Sequence, residues 1–195
     1  MCLQGSYLRG EASEHSDIDV MVLLEELTIP KMDLYRQILM EAGQYERSCG
    51  FISGRAEFQN WNTLELCHVQ HTTKDYFGKL SDFVQPYSQE DVRQYTIQSL
   101  NNLYHALCHT YIHRGAEKTL AHLPGMYKSA FFILQSAHFL ESGNYIQTKA
   151  EILRTLQGTD RQIMERCHAL AHGGECQYED IALLFTWCRE KMCSL

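Results

Sequence analysis

Two short groups of residues near the start of the 195-residue chain have the types and the spacing that the handling of a metal-bound triphosphate requires. The first group is Gly5-Ser6, at the predicted end of a strand, and the second is the pair Asp17 and Asp19. Glycine lets the backbone approach a phosphate closely, and a helix that begins at Ser6 directs free N–H groups toward an anion. Two carboxylates two positions apart on a strand point to the same side and can bridge hard cations.

The spacing between the two groups is compatible with one site. Ten residues separate Ser6 from Asp17, which is enough for a helical turn or two and a loop that returns to an adjacent strand. Arg9, one turn after the glycine, is predicted either to reach a phosphate or to brace this loop. Gly-Ser alone is common, and an Asp-x-Asp at a strand start is usually a solvated turn, so the interpretation depends on the joint pattern.

The elements that must position these residues form a small α/β domain in the first half of the chain. Residues 1–4 resemble the end of a strand, and Ile18–Leu24 is a β-branched, apolar strand flanked by acids, with Ile18, Val20 and Val22 facing a core. A helix is predicted over 32–42, with its start near Pro30. The segment 49–61 is predicted as a strand, a glycine turn and then a second strand or extended segment. A short helix within 64–77 and a linker over 78–88 follow.

From residue 89 onward the apolar residues recur at helical spacing. Three stripes of this kind are followed by two further helical segments, over 163–171 and 181–192, and Gly143 and Gly158 fall where helices are expected to end. Four or five amphipathic helices with short connections predict an antiparallel bundle. The predicted fold class is therefore α+β, with a mixed sheet and flanking helices over 1–86 and a helical bundle over 87–195.

Composition restricts the class of protein. The chain is 45% hydrophobic and 21% charged, it contains no apolar run long enough to cross a bilayer, and it has no apolar leader, so the default location is the cytoplasm. Eight scattered cysteines without a C-x-x-C pair are typical of reduced, mostly buried thiols. Residues 1–86 carry 13 acids and 7 bases and the remainder 11 and 10, so neither half supplies the basic surface that extended nucleic acid needs.

The pattern G-S-x-x-R-G followed by S-D-I-D resembles the minimal nucleotidyltransferase fold of the DNA polymerase β superfamily. It is especially similar to the aminoglycoside branch, which includes kanamycin nucleotidyltransferase. The resemblance implies that Gly5 and Ser6 bind a triphosphate and that Asp17 and Asp19 are catalytic ligands of magnesium. In this family a helix usually precedes the first strand, and here none does.

The same resemblance implies a third carboxylate on a later strand. Glu57 is the candidate catalytic and metal-binding residue, because it lies in the following strand-like segment. The apolar residues that flank it (Ala56-Glu57-Phe58) also fit the local form. A surface glutamate is the alternative interpretation. Lys128, in the helical half, is predicted either to reach the triphosphate or to be a solvated lysine.

The implied activity is transfer of a nucleoside monophosphate, AMP from ATP or the equivalent from another NTP. Two Mg²⁺ ions would assist, and the acceptor would be a hydroxyl of a small, aminoglycoside-like molecule between the domains. One alternative is an antitoxin-type enzyme that adenylylates a partner protein. Another is a non-catalytic nucleotide-binding module, favoured if Glu57 lies far from Asp17. The oligomeric state is open between a monomer and a homodimer.

Three further patterns have both a functional and a structural interpretation. His105, His109 and His113 share one helical face and would suit zinc only with another ligand nearby; a polar outer face, or a face turned toward the first domain, is the simpler interpretation. Arg166 and His172 have a spacing like that of HEPN ribonucleases, and chance is the simpler interpretation of so short a pattern. The aromatic residues of 51–77 line either a pocket or, more simply, a small core.

Overall fold

The first unit, Met1–Tyr87, is built on a four-stranded sheet in the order β3-β2-β1-β4. In this computed structural model, which describes all 195 residues, the strands are β1 (Cys2–Leu3), β2 (Ile18–Leu24), β3 (Ser48–Gly54) and β4 (Lys74–Asp75). Strand β1 is antiparallel to both of its neighbours, whereas β2 and β3 are parallel. The predicted mixed sheet is therefore confirmed.

Four helices flank this sheet: α1 (Gly5–Arg9), α2 (Ile29–Glu41), α3 (Arg55–Gln59) and α4 (Thr63–His71). Pro30 lies in the first turn of α2, where a missing N–H costs nothing, and the Asn62 side chain accepts a hydrogen bond from the Leu64 N–H at the start of α4. The prediction of a second strand or extended segment within 49–61 is wrong. Gly54 caps a helix there, because the buried Phe58 packs inward one turn after it.

The core of the first unit lies on the Met21 side of β2. Met21 and Phe58 are buried together, and Leu23 and Phe51 pack against them. The prediction that Ile18, Val20 and Val22 face the core is wrong, because these residues are only half-buried and lie on the opposite side of the strand. The buried cluster consists of Cys2, Met21, Phe58, Leu66 and Leu80.

The second unit, Ser88–Leu195, contains only helices: α5 (Gln89–Ser142), α6 (Lys149–Thr155), α7 (Gly158–Ala171) and α8 (Tyr178–Met192). Ser88 and Asp91 form a capping box at the start of α5, and Gly143 ends it in the left-handed region. Gly115 interrupts α5 with φ 78° and ψ 173°, a conformation that favours glycine and divides the element into two halves.

Apolar residues at helical spacing form the core of the second unit, including Leu107, Tyr127, Leu134 and Trp187, as the stripes predicted. Several polar contacts join α7 to α8. The Trp187 indole N–H donates to Asp160 at 2.6 Å, and Arg166 forms a bidentate pair with Asp180 at 2.6 and 2.7 Å. Because buried polar groups are costly without partners, these contacts fix how α7 and α8 pack. No helix has the length and apolar character needed to cross a membrane.

Candidate active site

The predicted phosphate corner is a sharp turn from β1 into α1. The backbone N–H of Gln4 donates to the carbonyl of Asp19 at 2.9 Å, which continues the β1–β2 pairing by one residue. Gly5 then turns the chain with φ 71°, a conformation that favours glycine, and Ser6 follows in the first turn of α1. The ladder thus brings Gly5 and Ser6 next to the start of β2.

Asp19 lies directly against this corner. A Cβ atom added to Gly5 would be 1.8 Å from the Asp19 Oδ2 atom and 2.7 Å from its Cγ atom. Only a residue without a side chain can occupy position 5 while the carboxylate stays where it is. Gly5 therefore serves both the turn and the close approach of the Asp19 carboxylate.

Asp17 immediately precedes β2 and is exposed, whereas Asp19 is half-buried. Side chains alternate between the two sides of a strand. If this alternation is continued one residue before β2, Asp17 lies on the same side as Asp19. A half-buried aspartate beside an exposed one is a suitable arrangement for a cation that arrives from solvent, since one carboxylate is positioned by the protein and the other stays accessible.

Arg9 braces the loop after α1. Its side chain is 8% exposed, and its Nε donates to Glu11 at 3.0 Å. Of the two predicted roles for Arg9, this contact supports the structural one, because the guanidinium is largely covered and already paired with a carboxylate.

Arg47, which was not among the sequence candidates, connects the two groups of the site. Its Nη2 donates to the Tyr7 hydroxyl on α1 and to the carbonyl of Ser16 at 3.2 Å, one residue before Asp17. Its Nε is buried and has no hydrogen-bond partner. The guanidinium therefore joins α1 to the start of β2. No motif marks this residue, and only its position just before β3 indicates that it borders the sheet.

His68, on α4, is a neutral neighbour of Arg9. Burial, reinforced by the charges of Arg9 and His71, lowers the pKa of His68 from 6.5 to about 4. A burial penalty of this kind disfavours the charged imidazolium. His71, nearly one turn further along α4, shares a hydrogen bond of 2.8 Å with the Tyr87 hydroxyl, and burial lowers the pKa of His71 as well.

Glu57 does not lie beside the two aspartates. It belongs to α3, is exposed, and has its carboxylate against Gly54, where an added Cβ would be 2.2 Å from Oε2. Gly54 pairs with Leu24, five residues beyond the pair Asp19–Cys49, a displacement of about 16 Å along parallel strands. That separation is too large for Glu57 to share a metal ion with Asp17 or Asp19.

Strand β3 brings no acid to the site either. Its sequence is SCGFISG, and the residue paired with Asp19 is the exposed Cys49. The next residue, Gly50, approaches β2 so closely that an added Cβ would be 2.3 Å from the Val20 carbonyl oxygen. The neighbouring strand therefore offers a thiol at the position closest to Asp19, and the carboxylates of the site are Asp17 and Asp19.

The other candidate residues predicted from the sequence belong to the second unit, where they are either exposed or paired with another side chain. Lys128 is exposed on the second half of α5. The ring centroids of His105 and His113 lie 5.7 and 4.6 Å from that of His109, and all three residues are exposed. Arg166 of the HEPN-like pattern is paired with Asp180.

The aromatic residues of the first unit divide between core and surface. Phe51, Phe58 and Trp61 pack together with centroid distances of 5.0 to 6.3 Å. Tyr76 and Phe77 are 62% and 79% exposed.

The donor set fits a magnesium ion that is bound together with a nucleotide. No group of three or more His, Cys, Asp or Glu side chains that could hold a metal ion occurs in the structure. Magnesium, however, is usually held by one or two carboxylates, with water and substrate phosphates completing its shell. Asp17 and Asp19 satisfy that requirement, and the turn at Gly5-Ser6 lies next to Asp19.

Sequence comparison assigns the class of protein. The family model described as "Nucleotidyltransferase domain" matches residues 1–102, more than half of the chain. The chain therefore belongs to the nucleotidyltransferase domain family and is a nucleotidyltransferase. This membership outweighs the distance of Glu57 from Asp17, which taken alone favours the alternative of a non-catalytic nucleotide-binding module. No curated protein matches the chain.

Structural comparison extends the similarity over the whole chain. A crystal structure of spectinomycin adenyltransferase AAD(9) from Enterococcus faecialis with ATP and spectinomycin matches with a TM-score of 0.57 and 14% sequence identity. The match covers 98% of this chain and 90% of that one. At this identity the similarity establishes the fold, and the predicted resemblance to aminoglycoside nucleotidyltransferases is confirmed at that level.

Proposed function

We propose that the chain transfers AMP from ATP to a hydroxyl group of a small-molecule acceptor, with magnesium bound at Asp17 and Asp19. The observation that carries the proposal is the contact between the Asp19 carboxylate and Gly5, which leaves no room for a side chain at position 5. It supports a single site in which a carboxylate pair and a phosphate-binding turn act on the same triphosphate. The structural relative with bound ATP makes ATP the first nucleotide to test.

The residues of this corner have separate roles in the proposal. Gly5 and Ser6 bind the triphosphate through backbone N–H groups and the Ser6 hydroxyl. Asp17 and Asp19 hold magnesium, which when bound neutralises phosphate charge and aligns the attacking and leaving oxygens. Arg47 keeps α1 in place against the start of β2, and Arg9 stabilises the loop through Glu11.

In the proposed reaction the acceptor oxygen forms a bond to the α-phosphorus of ATP. The bond from that phosphorus to the bridging oxygen breaks, pyrophosphate leaves, and the hydroxyl releases its proton. Positioning and charge neutralisation supply most of the acceleration in phosphoryl transfer. The second unit is proposed as the acceptor-binding part, Lys128 as a further cation toward the triphosphate, and the number of magnesium ions as two, following the family resemblance.

The experiment is pyrophosphate release from ATP with Mg²⁺ and a panel of small-molecule acceptors, with ³²P-labelled ATP to identify which molecule receives AMP. We expect Asp19→Asn to abolish release while the far-UV circular dichroism spectrum stays unchanged. Glu57→Gln is the matched control, because it also removes one carboxylate charge but lies against Gly54, about 16 Å along the strands from Asp19. Its rate is expected within about threefold of the parent rate, the scale of a change outside the site.

Three results contradict the proposal. Retained turnover in Asp19→Asn removes the carboxylate pair from the mechanism. Equal loss in Glu57→Gln shows that a third carboxylate acts after all and that the sheet geometry has been misinterpreted. Label recovered on a partner protein instead of a small molecule establishes the alternative of a protein-adenylylating enzyme.

A further inference from the structure

A cleft opens within the second unit, between the two halves of α5. Its volume is about 640 Å³, which lies in the range of small-molecule sites. Residues from both sides of the Gly115 break line it, so the two halves of the element face each other across this space. The polar lining includes Tyr95, Asn102, His109, Arg114, His122 and Ser129.

The charge of this lining has one sign. Arg114 is the only permanently charged side chain that lines the cleft, and no aspartate, glutamate or lysine does. Arg114 is exposed and has no salt-bridge partner within the chain. The two imidazoles of His109 and His122 add N–H donors on both sides of the cleft.

We propose that this cleft binds a compact, hydroxyl-rich anion, one that carries a carboxylate or a phosphate group. The planar guanidinium of Arg114 matches either group with two parallel hydrogen bonds. Asn102 and Ser129 supply hydrogen bonds for hydroxyl groups, and Tyr95 offers an aromatic surface for a sugar-like ring. We further identify this anion as the acceptor of the nucleotidyl group. That identification rests on the proposed function, whereas the binding of the anion to the cleft does not.

This inference differs from the aminoglycoside-like acceptor that the sequence resemblance implies. An aminoglycoside carries several ammonium groups, and each would need a carboxylate or several acceptors when it leaves water. Inside this cleft such a ligand would meet Arg114 and no acidic partner, so like charges would be brought together. The cleft thus selects against the cation by the same charge that favours the anion.

Gly125 allows the cleft to be filled without disturbing its walls. It lies in the second half of α5 with ordinary helical geometry, and a Cβ added there would meet nothing within 4 Å. Gly125→Phe therefore places a ring in the cleft while improving helix propensity. Ala121→Phe is the matched control, because Ala121 is exposed on the same half of α5 and does not line the cleft.

The test measures binding to the full chain without nucleotide or magnesium, by isothermal titration calorimetry and by histidine ring signals in NMR spectra. The probes are three anions (glucose 6-phosphate, glucuronate and gluconate), neutral glucose, and cationic glucosamine. We expect at least one anion to bind and to shift the His109 and His122 signals, with glucose and glucosamine at least about tenfold weaker. Arg114→Gln should weaken that anion at least about tenfold, the usual loss for a charge-assisted hydrogen bond.

The variants decide whether the bound anion occupies the cleft. Gly125→Phe should abolish binding, and Ala121→Phe should leave the dissociation constant within about twofold, as expected for a surface change outside the site. The proposal is overturned if none of the anions binds, if glucosamine binds as well as they do, or if Gly125→Phe has no effect. Anion binding without AMP transfer to the bound probe keeps the cleft site and refutes only its use as an acceptor site.

Discussion

Replacing Gly5 by alanine tests the contact on which the active site depends. Two costs follow from the structure. The first is conformational, because φ 71° is a left-handed value that costs an L-residue about 1–2 kcal/mol. The second is steric, because the new Cβ would be 1.8 Å from the Asp19 Oδ2 atom, whereas ordinary contact begins at 3.4 Å. The carboxylate must therefore move by about 1.6 Å.

Gly10→Ala separates these two costs. Gly10 ends α1 with φ 68°, so alanine has the same conformational cost there, but an added Cβ meets nothing within 4 Å. In urea denaturation, Gly10→Ala should lose about 1–2 kcal/mol of unfolding free energy, and Gly5→Ala should lose at least that much because of its added steric cost. Only Gly5→Ala should also lose activity, by about 100-fold in pyrophosphate release, since a misplacement of about 1 Å can cost that much.

The comparison has a clear contrary outcome. If Gly5→Ala releases pyrophosphate as fast as Gly10→Ala does, the Asp19 carboxylate does not need its place against Gly5. The corner would then be a structural turn, and the assignment of Gly5 to the triphosphate site would be wrong.

Three further predictions concern residues around the same corner. Cys49→Asp puts a third carboxylate beside Asp19. We expect calorimetry to show a Mg²⁺ affinity on the order of tenfold higher, because affinity follows the charge of the ligand set. An unchanged affinity would mean that the side chains at positions 19 and 49 do not share a face of the sheet. Arg47→Met removes the hydrogen bonds that join α1 to the start of β2 and should slow AMP transfer at least about tenfold. A rate equal to that of the parent protein would exclude this positioning role. The pKa of His68 is lowered to about 4 in the folded state by burial, so its contribution to stability is fully present above pH 6.5 and is lost as pH falls toward 4. His68→Gln should therefore flatten the fall in unfolding free energy over this window, by at most about 1.4 kcal/mol per pH unit, and a slope identical to that of the parent protein would contradict the assignment.

Local sequence patterns were sufficient for the elements that hold the aspartates. The β-branched run between two acidic stretches defined β2 correctly, and the glycine-serine turn into a short helix also agrees with the structure. These elements are determined by side-chain shape and backbone preference within a few residues, which a single sequence displays.

Features that depend on distant residues were not predictable in this way. Glu57 was expected in the second strand-like segment within 49–61, but Phe58 packs into a core with Met21 and Leu66, and the chain forms a helix there. Arg47 is defined by partners 31 and 40 residues away in the chain, and the cleft in α5 by a break at Gly115. Neither produces a periodic or local signal.

The central claim is that the aspartate pair and the glycine-serine turn hold one magnesium-bound triphosphate. A crystal structure of the full chain with Mg²⁺ and a non-hydrolysable ATP analogue tests it most directly. We predict magnesium with carboxylate ligands from Asp17 and Asp19, and phosphate oxygens hydrogen-bonded at Gly5 and Ser6. Metal density away from both aspartates, or a triphosphate bound at another part of the chain, would contradict the claim.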